Sequence, residues 1–400
     1  MATIKERPKS DGGGYQVRFY APDGSRRSKT FAKKKEAEQF ATKIEADKLR
    51  GQWLDPRLAK TPFEEVAAIY LDGLVHLAPS TRMKVEGHLR NYILPTFRRF
   101  QIANIKPSDV RSWISAMMKH GLSPATVKAI HGTFSRVMNQ AVLDGMVPRS
   151  PSFGVKLPKE DAGDEMNVIE PEKLVALADA LKPRFRALIY TAAYSGLRWS
   201  ELVALKVHNL DLLKGTIHVR ESLVEVNGHL FAGSTKTGVK RTVSIPRDLC
   251  QMLGEHLAEF PAPNGFVFTS VKGMPLRRNF YKRHFLPALV RSGLDPGLCL
   301  CEAEDCRERH TPLYRFHDLR HTCAALLIAQ GAHPKEIQEQ LGHSTIRITL
   351  DRYGHLFPSL HERLSDGLNE VFKNARTAVQ QPPSTEAIDM KARRGKHGHP

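Results

Sequence analysis

The chain has 400 residues, 41% of them hydrophobic, and this length suits two or three globular domains rather than one. Lys and Arg number 60 against 42 Asp and Glu, so the net charge is +18, which favours a polyanionic partner such as nucleic acid. No stretch approaches the ~20 apolar residues of a membrane helix, and the five cysteines, an odd number, do not suggest a disulfide framework. We therefore expect a cytoplasmic protein without a membrane partner.

The first 58 residues combine strand signals with a helix signal. Residues 15–20 alternate apolar and polar side chains, a turn follows, and residues 28–31 can return as a second strand. From Lys33 to Arg50 the apolar spacing becomes helical. This pattern predicts a small β-hairpin/helix module.

Basic residues lie on or beside this hairpin. A small sheet can enter a major groove, which makes these residues candidate DNA contacts, although a solvated basic surface is the alternative. The candidates are Arg18, Arg26, Arg27 and Lys29.

Residues 61–150 show helix signals only. Helix starts are expected at Thr61-Pro62, Ser80, Ser108 and Ser123, and four helices would form an all-α bundle. The Pro- and Gly-containing stretch 151–164 lacks periodicity and is interpreted as a linker.

Residues 165–372 form a second large region, which is predicted to be a mainly helical α+β domain. A short β region is expected between Thr216 and Ile245. The tail, residues 373–400, is expected to be disordered and to add nonspecific DNA affinity. Helices are predicted over 171–181, 184–195, 200–206, 247–259, 278–292 and 318–330.

Four spaced motifs lie in this domain. They are Ser195-Gly-Leu-Arg198-Trp-Ser-Glu201, Thr235-Lys236-Thr-Gly238, His317-Asp-Leu-Arg320-His321, and Leu341-Gly-His343 with Tyr353 ten residues further on. Each motif alone is ordinary. Together and in this order they resemble the catalytic set of the tyrosine recombinase (phage-type integrase) family, over roughly residues 165–360.

The two arginines suit chemistry at a phosphodiester. Attack on phosphorus adds negative charge to the non-bridging oxygens, and a guanidinium can bind two of these oxygens at once. Arg198 follows a tight Ser-Gly-Leu turn, and Arg320 lies three residues after His317, so a helix would place the latter two side chains on one face. A surface or ion-paired arginine is the alternative for either residue alone.

Tyr353 is the candidate nucleophile. Its phenol, with an ordinary pKa near ~10, needs a base or a positive field to lose its proton, and His317 is our candidate base. A merely buried tyrosine is the competing interpretation, because Ile346, Leu350 and Tyr353 share a helix face.

The resemblance implies further roles. His343 would hydrogen-bond the scissile phosphate, and Lys236 would protonate the departing 5′ oxygen, with Lys240 and Arg241 as nearby alternatives. Glu201 would support the site by orienting Arg198. His321 directly follows Arg320 and so points elsewhere on a helix, which makes core packing at least as plausible as chemistry.

A cysteine-rich stretch lies just before the His-x-x-Arg motif. Cys299, Cys301, Cys306 and His310 could bind zinc tetrahedrally, but their spacing is not the common paired Cys-x-x-Cys form. Free thiols in a polar loop are the alternative that we favour. The family's chemistry requires neither a metal nor another cofactor.

The resemblance also implies partners. The enzyme would act on double-stranded DNA through a 3′-phosphotyrosine intermediate, as a homotetramer on paired sites. It would work in a bacterial nucleoid, and DNA-bending and excision factors would assist it. The extra basic module before residue 60 favours an integrase of a phage or other mobile element. A catalytically silent architectural protein of the same fold and a type IB topoisomerase are the rival functions.

Overall fold

The computed structural model describes residues 2–8, 13–21, 24–49, 57–159, 166–233, 240–261, 264–301, 311–357 and 368–374. The chain divides into two compact units, residues 1–164 and 165–400, and the division falls at the end of the expected linker. Residues 375–400, nearly all of the expected disordered tail, lie outside the described residues. Among the described helices, none has the length and hydropathy to span a bilayer.

The N-terminal module is a three-stranded antiparallel sheet with one helix packed on it. The predicted hairpin is present, and an unpredicted strand, β1, pairs with the other edge of its first strand. All four residues of β1 are exposed, so this strand has no apolar alternation that sequence analysis could detect. The elements are β1 (Thr3–Glu6), β2 (Tyr15–Tyr20), β3 (Arg26–Phe31) and α1 (Lys34–Leu49).

The strand pairing distributes the four candidate DNA contacts over both faces of this sheet. Arg18 and Arg26 lie on the face opposite α1, because cross-strand partners point the same way and successive residues alternate. Arg27 and Lys29 lie on the α1 side, where Lys29 Nζ is 4.9 Å from the ring centroid of Phe40. The open face therefore presents Arg18 and Arg26.

The remainder of the first unit is a helical bundle around an aromatic core. Four of the helices begin within two residues of the predicted starts, and three of these have a proline in the first turn. The short helix α4 was not predicted. A single π-type turn, Leu89–Ile93, joins α3 to α4. The helices are α2 (Phe63–Asp72), α3 (Pro79–His88), α4 (Leu94–Phe97), α5 (Pro107–Lys119) and α6 (Pro124–Leu143).

The second unit mixes helices with two small sheets, in the strand orders β4-β5-β8 and β6-β7. The helices predicted over 200–206 and 278–292 are shorter than expected. The first, α9, is a single turn, and the second is reduced to α11, which a π-type turn precedes. The elements are α7 (Pro171–Asp179), α8 (Pro183–Ser195), α9 (Trp199–Leu202), β4 (Leu210–Asp211), β5 (Thr216–Val219), β6 (Ser222–Val226), β7 (His229–Gly233), β8 (Arg241–Ser244), α10 (Arg247–Glu259), α11 (Leu286–Arg291), α12 (Asp318–Ala329), α13 (Pro334–Leu341) and α14 (Ile346–Tyr353).

Two hydrophobic clusters hold this unit together. The larger one joins α7, α8, α10, α11 and the start of α12 to the β4-β5-β8 sheet. The smaller one joins α12, α13 and α14, and the fully buried Tyr353 belongs to it. The second cluster therefore fixes the position of the candidate nucleophile.

Candidate active site

The turn that follows α8 brings the first arginine motif against α12. Gly196 ends α8 in the left-handed conformation, with φ +66°, and a Cβ at this position would lie 2.5 Å from Leu341 Cδ2 and 3.2 Å from Cys323 Sγ. Glycine is therefore required both for the backbone and for the close approach. The Gly196 carbonyl accepts a hydrogen bond of 2.6 Å from Arg320 Nη1.

Arg320 is a nearly buried cation with an unused donor. Its residue is 3% exposed, and burial, reinforced by the charge of Arg198, lowers its pKa to about 9. Its Nη2 is buried and has no hydrogen-bond partner among the residues that the structure describes. Because a buried charged donor without a partner is costly, this nitrogen is suited to an anionic ligand.

Arg198 is held by Glu201, as the motif predicts. Arg198 Nη1 donates to Glu201 Oε1 at 2.8 Å, and the Arg198 backbone N–H donates to Oε2 at 3.0 Å. Arg198 Nη2 donates to the carbonyl of Gly342 at 3.0 Å, next to His343. The guanidinium is thus tied to two separate segments of the site.

Glu201 is shared with a second arginine that sequence analysis did not connect to it. Arg241 donates from Nη1 to Oε1 at 3.0 Å and from Nη2 to Oε2 at 2.7 Å. Burial by itself would raise the pKa of Glu201, but the hydrogen bonds and charges of Arg241 and Arg198 outweigh it and hold the pKa at about 2. Arg241 is therefore engaged in an ion pair, which argues against it as the alternative to Lys236.

His321 contacts the candidate nucleophile. Its Nδ1 lies 2.9 Å from Tyr353 Oη, and both side chains are buried. Arg320 and His321 do point in different directions, as expected. However, His317, which caps the start of α12, lies one turn before His321, with ring centroids 5.0 Å apart, and Tyr353 of α14 packs against His321.

His343 completes the group. Its ring stacks on that of Tyr353, with centroids 6.2 Å apart, and its Nδ1 lies 2.9 Å from Thr349 Oγ1. The charges of Arg320 and Arg198 act on His343, which places the three side chains in one electrostatic environment.

The site keeps its histidines neutral. Burial, followed by neighbouring positive charges, lowers the pKa of His317 and of His321 to about 4 and that of His343 to about 3. Burial raises the pKa of Tyr353, with Arg320 and Arg352 acting in the opposite direction. At neutral pH the site therefore holds neutral imidazoles that can accept a proton, beside a protonated phenol.

Some candidate residues lie outside the described part of the chain. Lys236 belongs to residues 234–239, between β7 and β8, and is not described. Cys299 Sγ and Cys301 Sγ are 3.0 Å apart, whereas Cys306 and His310, the other candidate zinc ligands, lie in residues 302–310, which are also not described. Both the lysine role and the zinc site stay predictions.

Comparison with known proteins places the chain in a family. Residues 167–359 match the phage integrase family, and residues 62–118 match the N-terminal SAM-like domain of phage integrases. The chain is 28% identical to a XerC-like tyrosine recombinase of Caldanaerobacter subterraneus subsp. tengcongensis over 74% of this chain and 78% of the relative. It is 27% identical to the ICEBs1 integrase of Bacillus subtilis over 83% and 89% of the two chains.

Solved structures share the fold. The Tn1549 transposon integrase in complex with circular intermediate DNA has a TM-score of 0.64 at 19% identity, covering 78% of this chain and all (100%) of that one. A lambda integrase tetramer bound to a Holliday junction has a TM-score of 0.57 at 18% identity, covering 86% and 95%. The matches over both regions of the chain identify it as a tyrosine recombinase of the phage integrase family.

Proposed function

We propose that Tyr353 is the nucleophile of the site-specific DNA recombination that this enzyme catalyses. The observation that carries the proposal is the contact of the Tyr353 hydroxyl with His321, 2.9 Å away, where the charge of Arg320 also acts on the phenol. A neutral base beside a phenol and an unsatisfied buried guanidinium are the groups that attack on a phosphodiester requires.

The first chemical step follows from this arrangement. Tyr353 Oη attacks the scissile phosphorus, the bond from phosphorus to the 5′ oxygen breaks, and a 3′-phosphotyrosine forms. Arg198 and Arg320 neutralise the charge on the non-bridging oxygens, and His343 donates to one of them. The 5′ oxygen leaves with a proton, which we assign to Lys236 from the family motif. The 5′-hydroxyl of a partner duplex then reverses the step.

His321 is the residue that we propose to take the proton from Tyr353, in place of His317, the candidate base in the sequence. His321 makes the direct contact, whereas His317 packs edge-on against the ring of His321. His317 then has a supporting role, keeping the His321 ring in place.

We propose double-stranded DNA as the partner of the enzyme and a homotetramer on two paired sites as its working form, and the lambda integrase tetramer bound to a Holliday junction supports this assembly. The N-terminal module would contact arm-type DNA through Arg18 and Arg26, which lie on the open face of its sheet. This added module supports an integrase of a mobile element, with accessory DNA-bending and excision factors as further partners.

The reaction class can be tested with a nicked duplex from the ends of the protein's own element. With the nick near the cleavage point, the released fragment diffuses away and the adduct accumulates. A label on the strand that ends in the 3′-phosphate should remain with the protein on a denaturing gel, whereas a label on the 5′-hydroxyl fragment should not. The opposite polarity would contradict the proposal. Relaxation of supercoils without recombinant product from two sites would favour a topoisomerase.

His321→Gln should slow adduct formation by about 10²-fold, the usual contribution of a general base, while glutamine still hydrogen-bonds Tyr353. In the wild type, the rate should stay constant from pH 8 to about pH 5. It should then fall as the pH approaches the His321 pKa of about 4, because protonated imidazole cannot accept a proton. Adduct rates measured against pH, with tryptophan fluorescence to monitor folding, provide the measurement. A larger loss in His317→Gln than in His321→Gln would return the base role to His317.

A further inference from the structure

Arg241 is the first residue of β8, and its side chain is almost buried, with 8% of it exposed. Its backbone is paired with Val219 of the neighbouring strand β5. The guanidinium binds both carboxylate oxygens of Glu201, and Nε donates to the carbonyl of Gln340 at the end of α13. One side chain thus connects three segments that are far apart in sequence.

The contact with Glu201 reaches Arg198. Glu201 Oε1 accepts from Arg198 Nη1 at 2.8 Å and from Arg241 Nη1 at 3.0 Å, so the carboxylate lies between the two guanidiniums. Without Arg241, the buried Glu201 would lose two charge-assisted hydrogen bonds, and burial would then raise its pKa. A protonated Glu201 would hold Arg198 more weakly.

Arg241 also packs against the turn that leads to His343. A Cβ at Gly342 would lie 2.9 Å from Arg241 Nε and Cζ, so the backbone of the turn touches the guanidinium. The Gly342 carbonyl is in turn the second acceptor of Arg198. Arg241 and Arg198 therefore bind the same turn as well as the same carboxylate.

A second pair of hydrogen bonds fixes the far end of β8. Gln340 Oε1 accepts from the backbone N–H of Ser244 at 3.1 Å, and Gln340 Nε2 donates to the Ser244 carbonyl at 2.8 Å. With Arg241 at one end and Ser244 at the other, β8 is tied to α13 along its length. Strand β8 is thus anchored next to the carboxylate that holds Arg198.

We infer that Arg241 is a positioning residue for strand cleavage, which orients Arg198 on the scissile phosphate through Glu201. The inference rests on the proposed function. Arg241 itself need not touch DNA, because its donors are directed to Glu201 and Gln340.

The test uses full-length protein and the nicked duplex. Arg241→Met should lower the adduct rate at saturating DNA by about tenfold or more, because misplacing a catalytic group by a fraction of an ångström has effects of this size. The DNA concentration for half-maximal rate should stay within about twofold, since the phosphate-binding side chains are all still present. Arg241→Lys, which keeps the charge but not the two parallel hydrogen bonds, should give an intermediate rate.

A double-mutant cycle separates positioning from a general loss of stability. If Arg241 acts through Glu201, then Glu201→Gln/Arg241→Met should be no slower than Glu201→Gln alone. As the pH is lowered, the rate of Arg241→Met should begin to fall at a higher pH than that of the wild type, because Glu201 is protonated more readily, and this difference should disappear in the double variant. Arg184→Met is the matched control, because Arg184 is a half-buried arginine that binds Thr269 and Ser270 instead.

The outcomes are distinct. Multiplicative losses in the double variant, or an effect of Arg241→Met equal to that of Arg184→Met, would overturn the inference. The inference would also be overturned if Arg241→Met kept the wild-type rate at saturating DNA and lost only affinity for DNA. Thermal unfolding identifies a variant that fails to fold, in which case Arg241→Lys supplies the comparison. Absence of adduct in the wild type would instead count against the proposed function.

Discussion

Tyr353→Phe should abolish the covalent protein–DNA adduct, with a fall in rate of at least about 10⁴-fold, because no other group replaces the lost nucleophile. The phenylalanine ring fills the same buried space, so the fold should persist. The free energy of unfolding should fall by only about 1 kcal/mol for the lost hydrogen bond to His321. Denaturing gels measure the adduct, urea unfolding measures the stability, and DNA-binding titrations measure the affinity for DNA.

The control for this prediction is Tyr190→Phe, which removes a hydroxyl from a half-buried tyrosine of α8 in the same unit. That variant should form the adduct at the wild-type rate. An adduct that persists in Tyr353→Phe would show that Tyr353 is the wrong tyrosine. Failure of both the wild type and the variant to form an adduct, with intact DNA binding, would favour the architectural rival.

Arg320→Met should reduce the adduct rate by about 10³-fold, the upper range for removing one donor from a site that stabilises developing negative charge. The same change should leave the fold intact or make it more stable by about 1 kcal/mol, because an apolar side chain replaces a buried cation with an unpartnered donor. Urea unfolding and adduct kinetics on the same preparation provide the comparison.

Arg352→Met is the matched control for Arg320, since Arg352 is exposed and acts on the site only through its charge. Its effect should stay below about tenfold, because water screens an exposed charge. If Arg320→Met instead lost several kcal/mol of stability and kept its cleavage rate, Arg320 would be a structural residue rather than a phosphate ligand.

Much of the fold was predictable because its signals are local. Prolines and serines mark the helix starts of the bundle, and α10 has the predicted bounds, residues 247–259. Strand β1 was missed because its four residues are all exposed. Helix α9 was overestimated because its continuation, Val203 to Leu205, is buried by neighbouring elements without being helical.

The sequence by itself determined which residue types form the site: two arginines, a glutamate beside the first of them, histidines near the second, and a tyrosine at the end of a helix. Motif spacing is a property of the chain, so it can be recognised without a structure. Only the tertiary structure decided that His321 is the contact of Tyr353 and that Arg241 shares Glu201. These contacts join residues 32 and 40 positions apart, and they depend on the packing of α14 on α12 and of β8 beside α9 and α13.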